Sequence, residues 1–232
     1  ACRVGSDCSR RVCTSSNAKA VLEWAFKRTK RVLFFPDQHL GRNTAYAMGI
    51  PLEQMPVWNP LADELGGNTE DALRSSKVLL WQGHCSVHAI FRPEHVDQFR
   101  AKYPGIKVLV HPECSREVVA KADIYGSTGK IIRDVESAPP GTQWAIGTEL
   151  NLVRRLANQH PDKQIMFLDR TICYCSTMNR IDLPHLVWAL ESLAEDRVVN
   201  QISVDPDTAH WARVALDRML AEAGLEGRVF IT

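Results

Sequence analysis

In WQGHCSVHAIF, residues 81–91, the thiol of Cys85 stands three positions before the imidazole of His88, just after an apolar run and a glycine. That pairing suits a metal ligand beside an acid–base group, or else two residues of an ordinary buried turn. Four more segments place reactive side chains where a run of structure ends. CTSSNA offers Ser15 and Ser16, HPEC offers His111, Glu113 and Cys114, GSTGK offers Ser127 and Thr128, and DRTICYCSTMN offers Cys173 and Cys175. Each has a plain reading by itself. Hydroxyls at a helix start usually cap free backbone amides. A His-Pro-Glu triplet suits a solvated loop, and GSTGK lacks the longer Gly-x4-Gly-Lys spacing of a phosphate loop. Cys-x-Cys is too tight for the paired ligands of a structural zinc site. Cys2 and Cys114 read as structural. Together the segments say more: thiolates favour iron–sulfur clusters or zinc, hydroxyls and helix amides favour anions, and His with Glu can share proton transfer. The combination points to a metal-assisted reaction on a small carboxylate or phosphate compound.

The elements that must position these groups alternate. RVLFFPD, KVLLWQG, IKVLVHPE, ADIYGST, QWAIGTE and QIMFLD are short apolar runs that suit strands buried on both faces of a parallel sheet. Helical spacing separates them, as in NAKAVLEWAFKRT, PEHVDQFRAKY, GTELNLVRRLANQH and DLPHLVWALESLAED. The expected class is therefore α/β, with ligand groups at the carboxyl ends of parallel strands. Two units are expected, 1–104 and 105–232, the first carrying a polar, turn-rich insertion over 50–76 and the second ending in a helix.

Bulk properties narrow the class. At 232 residues, 45% apolar and 24% charged, the chain can bury a sizeable core. A net charge of +1 argues against nucleic-acid or membrane-surface binding driven by charge. The apolar runs are too short to span a bilayer, and the N-terminal stretch does not read as a secretion signal. Seven cysteines, an odd number in a chain of this size, fit a reducing cytoplasm better than a disulfide framework.

CTSSNA, PDQHLGRNTA, WQGHCSVHAIF, VLVHPECSREVVAKADIYGSTGKII, IGTELNLVRRL and CYCSTMNRI, in that order, resemble the quinolinate synthase family over nearly the whole chain. The resemblance implies three-layer αβα units of a pseudo-threefold fold, about two of its three domains being present. It implies condensation of iminosuccinate, supplied by L-aspartate oxidase, with dihydroxyacetone phosphate to give quinolinate for NAD biosynthesis. It also implies a [4Fe-4S] cluster acting as a Lewis acid, with Cys85 and Cys175 as ligands and not Cys173. His88, His111 and Glu113 are then catalytic, and Ser15, His111, Pro112, Glu113, Ser127 and Thr128 line the substrate site.

The family's upstream motifs, including its first cluster cysteine, have no counterpart here. A C-terminal piece, inactive alone and exposing an apolar patch near the sheet ends, is expected. Two alternatives stand beside this reading. One is a non-catalytic, cysteine-rich zinc-binding or interaction module in which Cys2, Cys8 and Cys13 coordinate zinc with histidines; the other is a zinc hydrolase built on His88, His111 and Glu113.

Overall fold

Short apolar strands need partners on both faces, and the chain meets that need twice. A computed structural model describes residues 11–169 and 175–222. The first sheet contains β1 (Val32–Phe34), β2 (Val57–Trp58) and β3 (Val78–Trp81), in the order β1-β3-β2. The second contains β4 (Lys107–Val110), β5 (Ile124–Tyr125), β6 (Gln143–Gly147) and β7 (Gln164–Phe167), in the order β5-β4-β6-β7. Every pairing among the described residues is parallel. Parallel neighbours require crossovers, and helices supply most of them. They are α1 (Ala18–Phe26), α2 (Gln38–Ala47), α3 (Glu70–Ser75), α4 (Pro93–Lys102), α5 (Arg116–Lys121), α6 (Thr128–Glu136) and α7 (Leu150–Gln159), with α8 (Leu183–Ala194) and α9 (Pro206–Glu222) beyond the last strand.

The second sheet shows why the runs read as doubly buried. Val108, Val110 and Ala145 pack on one face with Val96 of α4 and Val118 and Val119 of α5. Leu109, Trp144 and Ile146 pack on the other with Ile131 and Val135 of α6 and Val153 and Leu156 of α7. Period-two alternation therefore feeds two apolar layers, which makes the unit a three-layer αβα sandwich. The first sheet has its own core, in which Leu22, Phe34, Leu40, Val78 and Leu80 meet.

The sequence reading treats 50–76 as an insertion, yet this segment also contributes a strand. Val57 and Trp58 of β2 sit opposite Leu80 and Trp81 of β3. Gly66, with φ of 61°, lets the following turn fold onto the Trp58 ring, since a Cβ there would lie 2.5 Å from it. Two residues are too few to show a period.

Uncovered apolar surface is present at strand ends, where Phe35 and Tyr125 are exposed, and along α8. Leu183, Leu186, Val187, Trp188, Leu190 and Leu193 are all exposed there. No described helix is long and apolar enough to cross a membrane.

Candidate active site

Most of the strands give way to capped helices, so the groups that follow them are held by turns instead of loose loops. Asp37 caps α2, Ser115 caps α5, Ser127 caps α6 and Glu149 caps α7, each side chain accepting a helix-start N–H. CTSSNA behaves differently. Neither Ser15 nor Ser16 caps α1; Asn17 occupies the cap position and accepts the Thr14 N–H at 2.7 Å instead. Ser16 Oγ lies 2.7 Å from Thr14 Oγ1. Ser15 is thereby left for another partner, and its Oγ lies 3.2 Å from His111 Nε2.

His111 follows β4 of the second sheet, whereas His88 follows β3 of the first. Their rings stack with centroids 4.3 Å apart and planes 17° from parallel. Both are buried. The Glu113 N–H donates to His111 Nδ1 at 3.3 Å, so the neutral ring carries its hydrogen on Nε2 and donates it to Ser15. Glu113 Oε2 lies 3.0 Å from His88 Nδ1 and 3.8 Å from His111 Nδ1. The shorter contact is an ion pair set off the line of a good hydrogen bond, because His88 Nδ1 has no aligned acceptor among the described residues. On the other side of the ring, His88 Nε2 lies 3.3 Å from Thr148 Oγ1.

These contacts drive the two imidazoles apart in charge. Burial alone would push His88 down, but contacts with the Cys85 thiol and the Glu113 carboxylate together outweigh it and raise its pKa to about 9. Burial, and then the charge on His88, lower His111 to about 4. Contact with His88 holds Glu113 below the usual carboxylate value against burial. The same contact lowers the Cys85 thiol, again against burial. Near neutrality the cluster therefore holds a charged His88, an ionised Glu113 and a neutral His111.

Linkage gives this arrangement a pH signature. His88 contributes fully below its unfolded value near 6.5, and the contribution is lost as pH climbs through about 9. His111 costs stability as pH falls from about 6.5 to about 4, because the unfolded chain takes the proton first. Glu113 contributes above its unfolded value and loses that as pH falls through its lower folded one. Thermal melts of the metal-free chain are expected to lose stability above neutrality, and His88→Gln should lose less there. Identical alkaline limbs in the two proteins would count against the His88–Glu113 pair.

Donor atoms of Cys85, His88 and Glu113 lie within 4.8 Å of one another and form a group able to hold a metal ion. His111 is not in that group, and its Nδ1 accepts the Glu113 N–H. Cys175 is half-buried at the start of a turn, with its Sγ accepting the Met178 N–H at 3.4 Å. Cys173, Cys2 and Cys8 lie outside the described residues. Cys114 is fully buried, its thiol pushed up chiefly by burial and placed 3.7 Å from the Gly147 carbonyl, and its place is structural. Cys13 packs at the margin of the first core.

Ser127 and Thr128 open α6 at the end of β5, beside the strand that leads into His111. Ser127 spends its oxygen on the Lys130 N–H at 3.4 Å, and Thr128 is exposed. Neither hydroxyl joins the histidine cluster through a hydrogen bond among the described residues. Pro112 takes part through its carbonyl, which accepts from Asn43 at 2.8 Å. The sequence reading misses Thr148, Asp37 and Asn43. Asp37 shows a legible sign, an acid just before a helical pattern; a buried threonine and asparagine show none. The hollow of about 350 Å³ over Pro184, His185 and Trp188 shares no residue with the cluster, so chemistry and not cavity size locates the site.

The model of a family described as Quinolinate synthetase A protein matches residues 4–221. The chain is 63% identical over 210 residues to the quinolinate synthase of Rhodopirellula baltica, covering 90% of this chain and 54% of that protein. It is 59% identical over 220 residues to that of a Nocardioides species, covering 92% and 56%. Against that of Geobacillus kaustophilus the identity is 58% over 210 residues, covering 90% and 57%. The chain thus spans about half the length of the curated relatives it matches.

Proposed function

The chain belongs to the quinolinate synthetase A family, and on that premise we propose that it carries the acid–base half of a quinolinate synthase site. In this reading the whole protein condenses iminosuccinate with dihydroxyacetone phosphate, releasing phosphate and water as quinolinate forms. L-aspartate oxidase supplies the iminosuccinate, and the setting is the cytoplasm. Units 1–104 and 105–232 serve as two of three related domains. The observation that carries the reading is the charged His88–Glu113 pair lying between Cys85 and a neutral His111.

In this reading Cys85 and Cys175 are two ligands of a [4Fe-4S] cluster, and thiolate sulfur is the donor such a cluster takes. Cys85 is half-buried with its thiol acidified by His88, which favours thiolate, and the half-buried Cys175 sulfur receives the Met178 backbone N–H. When bound, such a cluster supplies an open iron position that polarises a substrate oxygen or nitrogen. The chain's own groups handle charge and protons. Both substrates are anions, suited to the Ser15 hydroxyl and to the helix start at Ser127–Thr128. Because His111 donates to Ser15 Oγ, the Ser15 hydrogen remains available to a substrate oxygen. His88 carries a proton on each nitrogen and can release the one on Nε2 to a departing oxygen, while the Glu113 carboxylate steadies the one that stays on Nδ1. His111, neutral, orients the Ser15 hydroxyl through its Nε2–H.

The test is to join the chain to the remainder of its relatives' length, purify without oxygen and assay quinolinate by chromatography. Brown protein that forms quinolinate from the two substrates is expected. Colourless protein holding zinc at the Cys85, His88 and Glu113 group, with no product, would overturn the proposal.

A further inference from the structure

We propose that α2, which contributes none of the groups assigned above to chemistry, is the positioning element of the site: Asp37 sets the Cys85 main chain and Asn43 sets the His111–Cys114 turn. The inference rests on reading those residues as the active site. Its physical content is separate, and concerns how turns from two sheets are brought into register.

Asp37 is 8% exposed and has two distinct partners. One carboxylate oxygen accepts the Leu40 N–H at 2.6 Å, which is all that capping α2 requires. The other accepts the Cys85 N–H at 3.0 Å, across 48 positions of sequence. Serine would cap the helix equally well; only a side chain with two acceptor oxygens can also hold Cys85. The Gln38 N–H adds a third tie, donating to the Gly83 carbonyl at 2.9 Å.

Asn43, 1% exposed, lies on the buried side of the same helix. Its Nδ2 donates to the Pro112 carbonyl at 2.8 Å and to the Cys114 carbonyl at 2.9 Å, the two that bracket Glu113. Its Oδ1 has no hydrogen-bond partner among the described residues, so this amide is placed for its donors. Asp37 and Asn43 are six residues apart, about 9 Å along a helix axis. A rigid rod of that length fixes the Cys85 turn of the first sheet relative to the His-Pro-Glu turn of the second. It accounts for stacked imidazoles that come from different sheets. PDQHLGRN, left without a role in the chemistry, thereby acquires one.

Two substitutions separate positioning from stability. Asp37→Ser keeps the helix cap and drops the second oxygen. Asn43→Asp keeps shape but turns both donors into an acceptor facing carbonyls. Amide hydrogen exchange and imidazole ring shifts are read by NMR in this chain, without metal. In Asp37→Ser the Cys85 amide should exchange about tenfold faster or more, with Leu40 near its parent rate. In Asn43→Asp the Glu113 and Cys114 amides should exchange faster and the His88 and His111 ring shifts should move as stacking is lost. The core amides of Val108 and Leu109 should stay at parent rates in both. If Asn43→Asp does not fold, Asn43→Ser, with one donor, should show the same local pattern at smaller size. Unchanged Cys85 exchange and ring shifts would overturn the proposal, and so would equal acceleration of site and core amides. None of these readouts involves iron or turnover, so failure of the proposed reaction would leave them standing, and the reverse.

Discussion

Exchanging Glu113 for glutamine lowers turnover of the protein at its relatives' length by about 10²–10⁴-fold, the range for a lost acid–base group. The carboxylate has two tasks that an amide cannot do. It lies 3.0 Å from His88 Nδ1, and it helps hold that buried ring in its charged form. Glutamine keeps the volume and removes the charge, so burial then favours the neutral imidazole. The alkaline limb of the kcat profile, expected near pH 9 in the parent, should move down toward neutrality in Glu113→Gln. Measuring kcat against pH in both proteins checks this. His88→Ala should lower turnover similarly while leaving bound iron in place. A Glu113→Gln enzyme with parental kcat and an unmoved limb would remove the pair from the chemistry.

Gly83→Ala is expected to cost about 3 kcal/mol of stability, at the upper end for an overpacked substitution. A Cβ on Gly83 would lie 2.1 Å from the Pro36 carbonyl oxygen, a backbone atom that cannot swing aside. Either the turn ending at Cys85 or the start of α2 must move, and the Gln38 N–H to Gly83 carbonyl bond joins them. Denaturant unfolding measures the loss, with Gly105→Ala as a comparison, since nothing lies within 4 Å of a Cβ there. Gly105 has φ of 83°, so its cost reports backbone strain without crowding. An unchanged midpoint for Gly83→Ala would mean that the two turns are not clasped as described.

The strand–helix alternation is legible because doubly buried strands and amphipathic helices leave different spacings. Six of the seven strands among the described residues announce themselves as apolar runs, and β2 does not, because Val57–Trp58 is stabilised by pairing with β3 and not by any local pattern. The reactive residue types are legible for a similar reason: Cys85, His88, His111 and Glu113 stand at the ends of such runs. Their mutual geometry is not. The stack of His88 on His111 joins two sheets, and the bond from Thr148 spans 60 positions. Local spacing carries no information on contacts of that range. Ser15 shows the limit most plainly. As a hydroxyl before a helix it reads as a cap, yet in the folded chain Asn17 takes the cap position and Ser15 lies beside His111.

Iron and sulfide counted per chain after anaerobic reconstitution bear most directly on the central claim, that Cys85 is a cluster ligand flanked by a charged histidine–glutamate pair. The parent at its relatives' length should hold on the order of four irons and Cys85→Ser well under one, while His88→Ala keeps the parental count. Parental iron in Cys85→Ser, or zinc in place of iron in the parent, would contradict it.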